Sequence, residues 1–245
     1  MMEKESRPYF IFDLDDTLYD LSASFRKTHE ELLGDRMEVP VSELFEASRR
    51  YNKEAFGLWS RGLLTKQEEF SYRIRKTYAD FGLELSEEEL RKFSESYREN
   101  QNRITLMDGM EEILIMLRES GAALAVLTNG NHADQWKKLA ALGVFRYIPE
   151  ERVLISEDLP APKPELAAFR TAEKRLGLGK CGIYYIGDTF EIDIAGAVAA
   201  GWNTIWFNHR GRVLPEGGVR PDYTAENVRE LRDIFGKILT EAREN

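Results

Sequence analysis

A single cysteine and three histidines are all that this 245-residue chain offers to a disulfide or a zinc centre. One cysteine, Cys181, excludes an internal disulfide and fits a reducing compartment. Its plain reading is a small packed hydrophobe. His29, His132 and His209 are scattered, without the pairing expected of zinc ligands. Long apolar runs are missing too. The longest unbroken aliphatic stretch, 122–127, is far short of the roughly 20 residues a membrane helix needs. Basic excess is also lacking: 34 Lys and Arg stand against 43 Asp and Glu, a formal net charge of −9. A nucleic-acid polymer is therefore not an expected partner, since phosphate backbones are gripped through basic patches. A small phosphorylated substrate is not excluded, because a bound cation can reverse the local field. The polar start "MMEKESRP" runs straight into an apolar segment and does not read as a signal peptide, so the expected location is cytoplasmic.

What is present alternates in two ways along the chain. Residues 20–104 read as wholly helical. "SELFEASRRYNKEAFGLW" puts Leu44, Ser48, Tyr51, Ala55 and Leu58 on one face at helical spacing. "TKQEEFSYRIRKTYADF" does the same with Phe70, Ile74, Tyr78 and Phe81, and "SEEELRKFSESY" with Leu90, Phe93 and Tyr97. Thr65 with Glu68, and Ser86 with Glu89, match the capping box that opens a helix. From residue 106 onward, strand and helix alternate: "AALAVLT", a helix over 133–142, "RVLI", a helix over 165–176, "GIYYIG", "IDIAGAVAAG" and "NTIWF". A last amphipathic helix carries Val228, Leu231, Phe235 and Ile238. That alternation predicts an α/β fold, a Rossmann-like parallel sheet core with helices on both faces. The strand at 9–12 belongs to it. The expected domains are thus a core of 1–19 plus 105–245 and an inserted all-helical cap of 20–104.

Ligands of open parallel sheets bind beyond the carboxyl ends of the strands, and four segments there carry polar groups. "YFIFDLDDTLYD" crowds Asp13, Asp15 and Asp16 at the exit of the first strand, followed by Thr17. "VLTNGN" supplies Thr128 and Asn129, "LPAPKPE" supplies Lys163, and "YIGDTFEID" supplies Asp188 and Asp193. Clustered carboxylates repel one another unless a cation sits among them. Phosphoryl transfer needs a nucleophile, a proton donor for the leaving oxygen and positive charge around the transferring oxygens. Together the segments read as a phosphoryl-transfer site with Mg2+ as cofactor, an ion that takes hard oxygen ligands and keeps waters beside one or two carboxylates. A carboxylate at Asp13 can attack phosphorus and split hydrolysis into two steps. Asp15, two residues on, can protonate the leaving oxygen and then take a proton from water. Thr128 stands where a helix N-terminus favours phosphate oxygens, and Lys163 adds a point charge.

"DLDDT", "LTNG", Lys163 and "GDTFEID", in that order and framing nearly the whole chain, resemble the four motifs of the haloacid dehalogenase superfamily of aspartate-nucleophile phosphatases. The helical insert resembles that superfamily's type-1 cap. The resemblance implies Asp13 as nucleophile and magnesium ligand. It implies Asp15 as general acid/base, with its backbone carbonyl on the metal. Thr128, Asn129 and Lys163 would bind phosphate, Asp188 would ligate magnesium, and Thr17 and Asp193 would support the site. Dehalogenases lack an aspartate at the position of Asp15, so that residue favours a phosphatase. A sugar phosphomutase or a catalytically silent binder stays open. The segment "WFNHRGRVLPEG" and the cap layout most resemble bacterial pyrimidine nucleotidases, which makes nucleoside 5'-monophosphates the leading substrate class and a sugar phosphate the alternative. Phe56, Trp59 and Arg61 could contact a base or sugar, and at least equally read as cap core (Phe56, Trp59) and a solvated charge (Arg61). His209 and Arg210, after the fifth core strand, could border the site, with a surface loop as the plainer reading.

Overall fold

A computed structural model describes residues 7–179 and 182–244. Cys181 lies outside them. In chain order the elements are β1 (Tyr9–Phe12), α1 (Ala23–Leu32), α2 (Val41–Ser60), α3 (Lys66–Ala79), α4 (Glu87–Gln101), α5 (Met110–Glu119), β2 (Ala123–Thr128) and α6 (His132–Ala141). There follow β3 (Val153–Ile155), α7 (Leu166–Leu176), β4 (Ile183–Gly187), a wide helical turn over Phe190–Ile194, α8 (Ala195–Ala199), β5 (Asn203–Phe207), β6 (Tyr223–Ala225) and α9 (Val228–Glu244). The chain divides into two compact units, 1–20 with 105–245 and 21–104.

The larger unit is built on one parallel sheet of order β3-β2-β1-β4-β5-β6. Side chains alternate along β1 and so serve opposite faces. Phe10 and Phe12 meet Phe235 of α9, with ring centroids 5.0 and 5.9 Å apart. Ile11 turns the other way and joins Ala125, Leu127, Tyr185, Phe169 of α7 and Ala197 of α8 in a buried cluster. Helices therefore cover both faces, which is why strands such as "YFIF" and "ALAVLT" read as continuous apolar runs. From β1 the chain moves outward through β2 and β3, then crosses back to the opposite side of β1 to form β4. The switch point thus falls at β1, where an open sheet leaves a crevice for a ligand. Two elements carry no sequence expectation above: α5, which starts after Gly109, and the short edge strand β6.

The smaller unit contains α1 to α4. Both expected capping boxes form: Glu68 N–H donates to Thr65 Oγ1 (3.2 Å) and Thr65 N–H to Glu68 Oε2 (2.7 Å), with Ser86 and Glu89 repeating the pattern. Caps of this kind typically stabilise a helix by about 0.5–2 kcal/mol. The unit's centre is Phe25, Leu44, Phe45, Ile74, Tyr78 and Phe93. His29 is buried beside them, its Nδ1 2.9 Å from the Tyr78 hydroxyl. The sequence reading of Phe56 and Trp59 as cap core is not what forms. Phe56 is 53% and Trp59 38% exposed, the two rings resting on each other at 5.4 Å. They fall in the last turns of α2, where Ala55 is the last buried position.

Candidate active site

The carboxyl end of β1 turns its aspartates in different directions. The sheet ladder continues one residue past the strand, Asp13 N–H donating to Ile186 O (2.8 Å), so Asp13 is held as firmly as the strand itself. Its Oδ1 accepts from Lys163 Nζ (2.8 Å), which also donates to Asp193 Oδ1 (2.6 Å) and to the Tyr185 hydroxyl (2.6 Å). An ammonium has three donors, and all three are engaged. Tyr185 passes its own hydrogen to Leu127 O (2.8 Å). The Lys163 backbone is fixed from both sides by the Asn129 amide, which donates to Lys163 O (2.8 Å) and accepts from Lys163 N–H (2.9 Å).

Asp188 follows β4 directly. Its Oδ2 accepts from Arg212 Nη1 (2.6 Å) and its Oδ1 from the Thr189 hydroxyl (3.1 Å). Asp193 folds back over Gly187, whose Cβ, if it had one, would stand 2.5 Å from Asp193 Cβ and Cγ. Glycine is needed there for close approach. Asp193 Oδ2 accepts from Thr189 N–H (3.0 Å). One carboxylate oxygen from each of Asp13, Asp188 and Asp193 lies within 4.8 Å of the others, and all three residues are buried.

Charge this concentrated is poorly solvated. Burial pushes the Asp13 carboxyl up to about 8; the Lys163 charge pulls it back, and Asp193, Asp188 and Asp15 add to the rise. Burial, with the neighbouring Asp193 and Asp16 charges, pushes Asp188 up to about 6. Burial alone would strip Lys163 of its proton, but the Asp13 and Asp193 charges outweigh it and hold its pKa well above the usual value. Asp13 and Asp188, both with raised proton affinity, and the adjoining Asp193 form a carboxylate cluster whose chemistry is compatible with a hard divalent cation.

Asp15 belongs to a second cluster. Its Oδ1 accepts from Lys138 Nζ (2.7 Å) and from the Tyr19 hydroxyl, and its Oδ2 from Gln135 Nε2 (3.0 Å). Burial would raise its pKa, yet the Lys138 charge and these hydrogen bonds lower it below the ordinary value. Thr128 is attached through the same glutamine, its Oγ1 accepting from Gln135 Nε2 (2.8 Å). Thr17 is fully buried, and its hydroxyl has no hydrogen-bond partner among the described residues.

The structure thus brings Asp13, Lys163, Asp188 and Asp193 together. Asp15 and Thr128 stand in the adjoining cluster, and Asn129 serves the Lys163 backbone. Several neighbours were not singled out in the sequence. Tyr185 reads as one more aromatic in a buried strand; only its place two residues before the strand end could have marked it. Gln135 and Lys138 sit one turn apart on the helix that follows "LTNG", a position that could have drawn attention to them. The sequence reading of His209 and Arg210 as a surface loop needs correction. Arg210 grips buried Asp16 through Nε (3.0 Å) and Nη2 (2.6 Å), and Nη2 also reaches Asp20 (2.6 Å). His209 Nε2 lies 2.9 Å from Asp16 O. Burial would raise the Asp16 carboxyl, but the His209 and Arg210 hydrogen bonds overcome it and lower it. These bonds secure Asp16 in a left-handed conformation (φ 63°) that aspartate tolerates better than most residues.

Fold and site together set buried aspartates and a lysine at the carboxyl end of a parallel sheet, where ligands of such sheets bind. The chain belongs to the haloacid dehalogenase-like hydrolase family, whose profile matches residues 9–201. Over 95% of its length it is 27% identical to the pyrimidine 5'-nucleotidase PynA of Streptococcus pneumoniae, covering 97% of that protein. A glyceraldehyde 3-phosphate phosphatase of Methanopyrus kandleri is 36% identical over 51% of this chain and 54% of its own length. The hydrolase YfnB of Bacillus subtilis, in a magnesium-bound crystal structure, shares the fold at a TM-score of 0.66, with 22% identity over 94% of this chain and 99% of that one. The chain is accordingly an enzyme that hydrolyses phosphate monoesters. No helix among the described residues is long and apolar enough to cross a membrane.

Proposed function

We propose that this chain is a magnesium-dependent phosphatase of nucleoside 5'-monophosphates that works through an aspartyl phosphate on Asp13. The observation that carries the chemistry is the buried Asp13 carboxylate at the strand end, in contact with Lys163 and adjacent to Asp188 and Asp193. Asp13, Asp188 and the backbone carbonyl of Asp15 would hold the cation, with Asp193 beside them. A divalent cation there supplies positive charge that offsets the clustered carboxylates and the phosphate.

The chain's own residues account for the rest. Asp13 attacks phosphorus while the leaving oxygen takes a proton from Asp15; in the second step Asp15 takes a proton from the attacking water. The second step needs Asp15 ionised, the form its three donors favour. The first needs it protonated, and an arriving dianionic phosphate raises its proton affinity by like-charge repulsion. Lys163 has no spare N–H while Asp13 is a free carboxylate. Esterification of Asp13 removes that negative charge, which frees a Lys163 donor for the phosphoryl oxygens. Thr128 and the Asn129 backbone complete the phosphate pocket, with Thr17 beneath the turn. Residues 20–104 are assigned the choice of leaving group, and the single cysteine favours a cytoplasmic location.

The nucleotide class rests on likeness across nearly the full length to a pyrimidine nucleotidase. A second reading, a triose- or sugar-phosphate phosphatase, is favoured by the higher identity to the Methanopyrus kandleri enzyme, but that match spans only half the chain. Phosphate release from a panel of nucleoside monophosphates, sugar phosphates and glyceraldehyde 3-phosphate separates the two. The highest kcat/KM is expected on a pyrimidine nucleotide; a triose phosphate at the top would favour the second reading. Excess chelator should abolish release and magnesium restore it, with calcium a poor replacement because of its looser coordination. Full activity in chelator would remove the metal from the proposal.

Stability gives an independent measure of the cation site. A carboxyl whose folded pKa lies above its unfolded value stabilises the fold at low pH, and that contribution is lost as pH rises through the folded value. Asp13 and Asp188 act this way between 3.8 and about 8, and between 3.8 and about 6. His29, lowered by burial from 6.5, acts in the opposite sense below 6.5. In the interval from 6.5 to 8 the more strongly raised Asp13 therefore dominates. In chelator the stability should fall across it by up to about 1.4 kcal/mol per pH unit for one proton, read as a falling melting temperature. Magnesium should flatten that fall. An equal slope with and without magnesium would separate Asp13 from the metal.

A further inference from the structure

The Asp15 carboxylate is enclosed by donors in a way that hydrolysis of the acyl phosphate does not by itself require. Lys138 Nζ donates to Asp15 Oδ1 (2.7 Å) and also to Gln135 Oε1 (2.7 Å), while Gln135 Nε2 donates to Asp15 Oδ2 (3.0 Å). The three side chains close a triangle. Gln135 and Lys138 are spaced i, i+3 on α6 and so share one helix face. Gln135 is 2% exposed and anchored at the end of β2, donating also to Thr128 Oγ1 (2.8 Å) and Asn129 O (3.1 Å). It lies against Gly130, where a Cβ would stand 2.8 Å from Gln135 Cγ. Tyr19 contributes the remaining donor to Asp15 from the first-strand side.

We propose that Lys138 and Gln135 are positioning residues that fix the Asp15 carboxylate for proton transfer to the leaving oxygen. An acid delivers its proton only within hydrogen-bond reach and correct alignment, and small misplacements are costly. An aspartate side chain can rotate about two bonds. Donors on each of its oxygens, from a residue locked against β2 and a lysine one turn beyond it, remove both freedoms. The inference rests on the assignment of Asp15 as the general acid, and the experiment tests that assignment separately.

The measurement is the first-turnover burst of the magnesium-loaded protein on an alkyl phosphate and on nitrophenyl phosphate. A nitrophenolate leaves without help, so only the alkyl ester reports proton delivery. Lys138→Met should slow the alkyl burst about tenfold and the nitrophenyl burst less than about threefold, a fraction of the 10²–10⁴ that acid/base assistance supplies. Gln135→Leu removes the second donor without changing net charge; because Gln135 also holds Thr128 and Asn129 O, both bursts should slow, but the alkyl burst more than the nitrophenyl one. Lys138→Arg should recover most of the alkyl rate. Adding Lys138→Met to Asp15→Asn should cost almost nothing more, because a residue that acts through another has no effect once that one is gone. Equal losses on both esters, or a full additional loss in the double variant, would overturn the inference and reduce Lys138 to a structural residue. A faster alkyl burst in Lys138→Met would overturn it too, since the lysine would then only keep the proton off Asp15. If Asp15→Asn alone slows both esters equally, the acid assignment itself falls and the inference with it.

Discussion

Asp13→Asn should leave no measurable turnover on any phosphate monoester, whereas Asp15→Asn should keep most of its first turnover on nitrophenyl phosphate. The two residues are two positions apart, yet the structure gives their carboxylates different surroundings. Asp13 lies against Lys163 and near Asp188 and Asp193. An amide in its place is a far poorer nucleophile, and no neighbouring group is placed to substitute for it on the same ladder position. The loss should therefore be the same whatever the leaving group. Asp15 faces Lys138, Gln135 and Tyr19 instead. Its amide variant retains attack by Asp13 and loses only the proton for the departing oxygen. A nucleoside or sugar alkoxide needs that proton; a nitrophenolate does not. Burst rates should fall by about 10²–10⁴ on alkyl phosphates and much less on the aryl ester. Steady-state rates would blur the contrast, because the same carboxylate activates water in the second step. Residual full-rate turnover in Asp13→Asn would remove the covalent mechanism.

The sequence exposes this site because charge has to be concentrated in short segments. Four carboxylates in "DLDDTLYD", a lysine between prolines and "GDTFEID" conflict with any ordinary turn, and each follows an apolar run that reads as a buried strand. The helical unit is legible for a different reason: capping boxes and apolar spacing are local, and α3 and α4 begin where Thr65 and Ser86 place them. What stays hidden depends on contacts across the chain. Tyr185 is set apart from the adjacent Tyr184 by a hydroxyl that meets Lys163, 22 residues away. Asn129 carries a phosphate-loop signature, but its side chain is used to clamp a backbone 34 residues on. Arg210 and Arg212 lie 24 to 194 residues from the aspartates they neutralise, and no periodicity marks such pairs. The exposed Phe56 and Trp59 show the converse: helical spacing identifies an apolar face without saying where along the helix its packing ends.

Lys163→Met should cost both activity and fold, and the second loss should depend on pH in a way that packing defects do not. The lysine is almost wholly buried, its side chain 2% exposed, and joins Asp13 and Asp193 (9% and 2%) in two ion pairs. Methionine replaces most of the volume, so the principal change is electrostatic. Removing one partner of a buried ion pair typically costs about 3–5 kcal/mol, because the remaining charge is left without compensation. Here two carboxylates would be left, together with the Tyr185 hydroxyl that now accepts from the ammonium. The fold can recover part of that loss by binding a proton on Asp13, which places its folded proton affinity still further above the unfolded value. A raised folded pKa means stability that is present at low pH and lost as pH rises. The gap in melting temperature between the native protein and the variant should thus be smaller at pH 5 than at pH 8. Magnesium should narrow the gap at pH 8 by supplying a cation to the same carboxylates, while activity remains lost because the Lys163 ammonium is missing from the phosphoryl oxygens. A gap independent of pH and of magnesium would mean that Lys163 contributes through its packing and not through its charge.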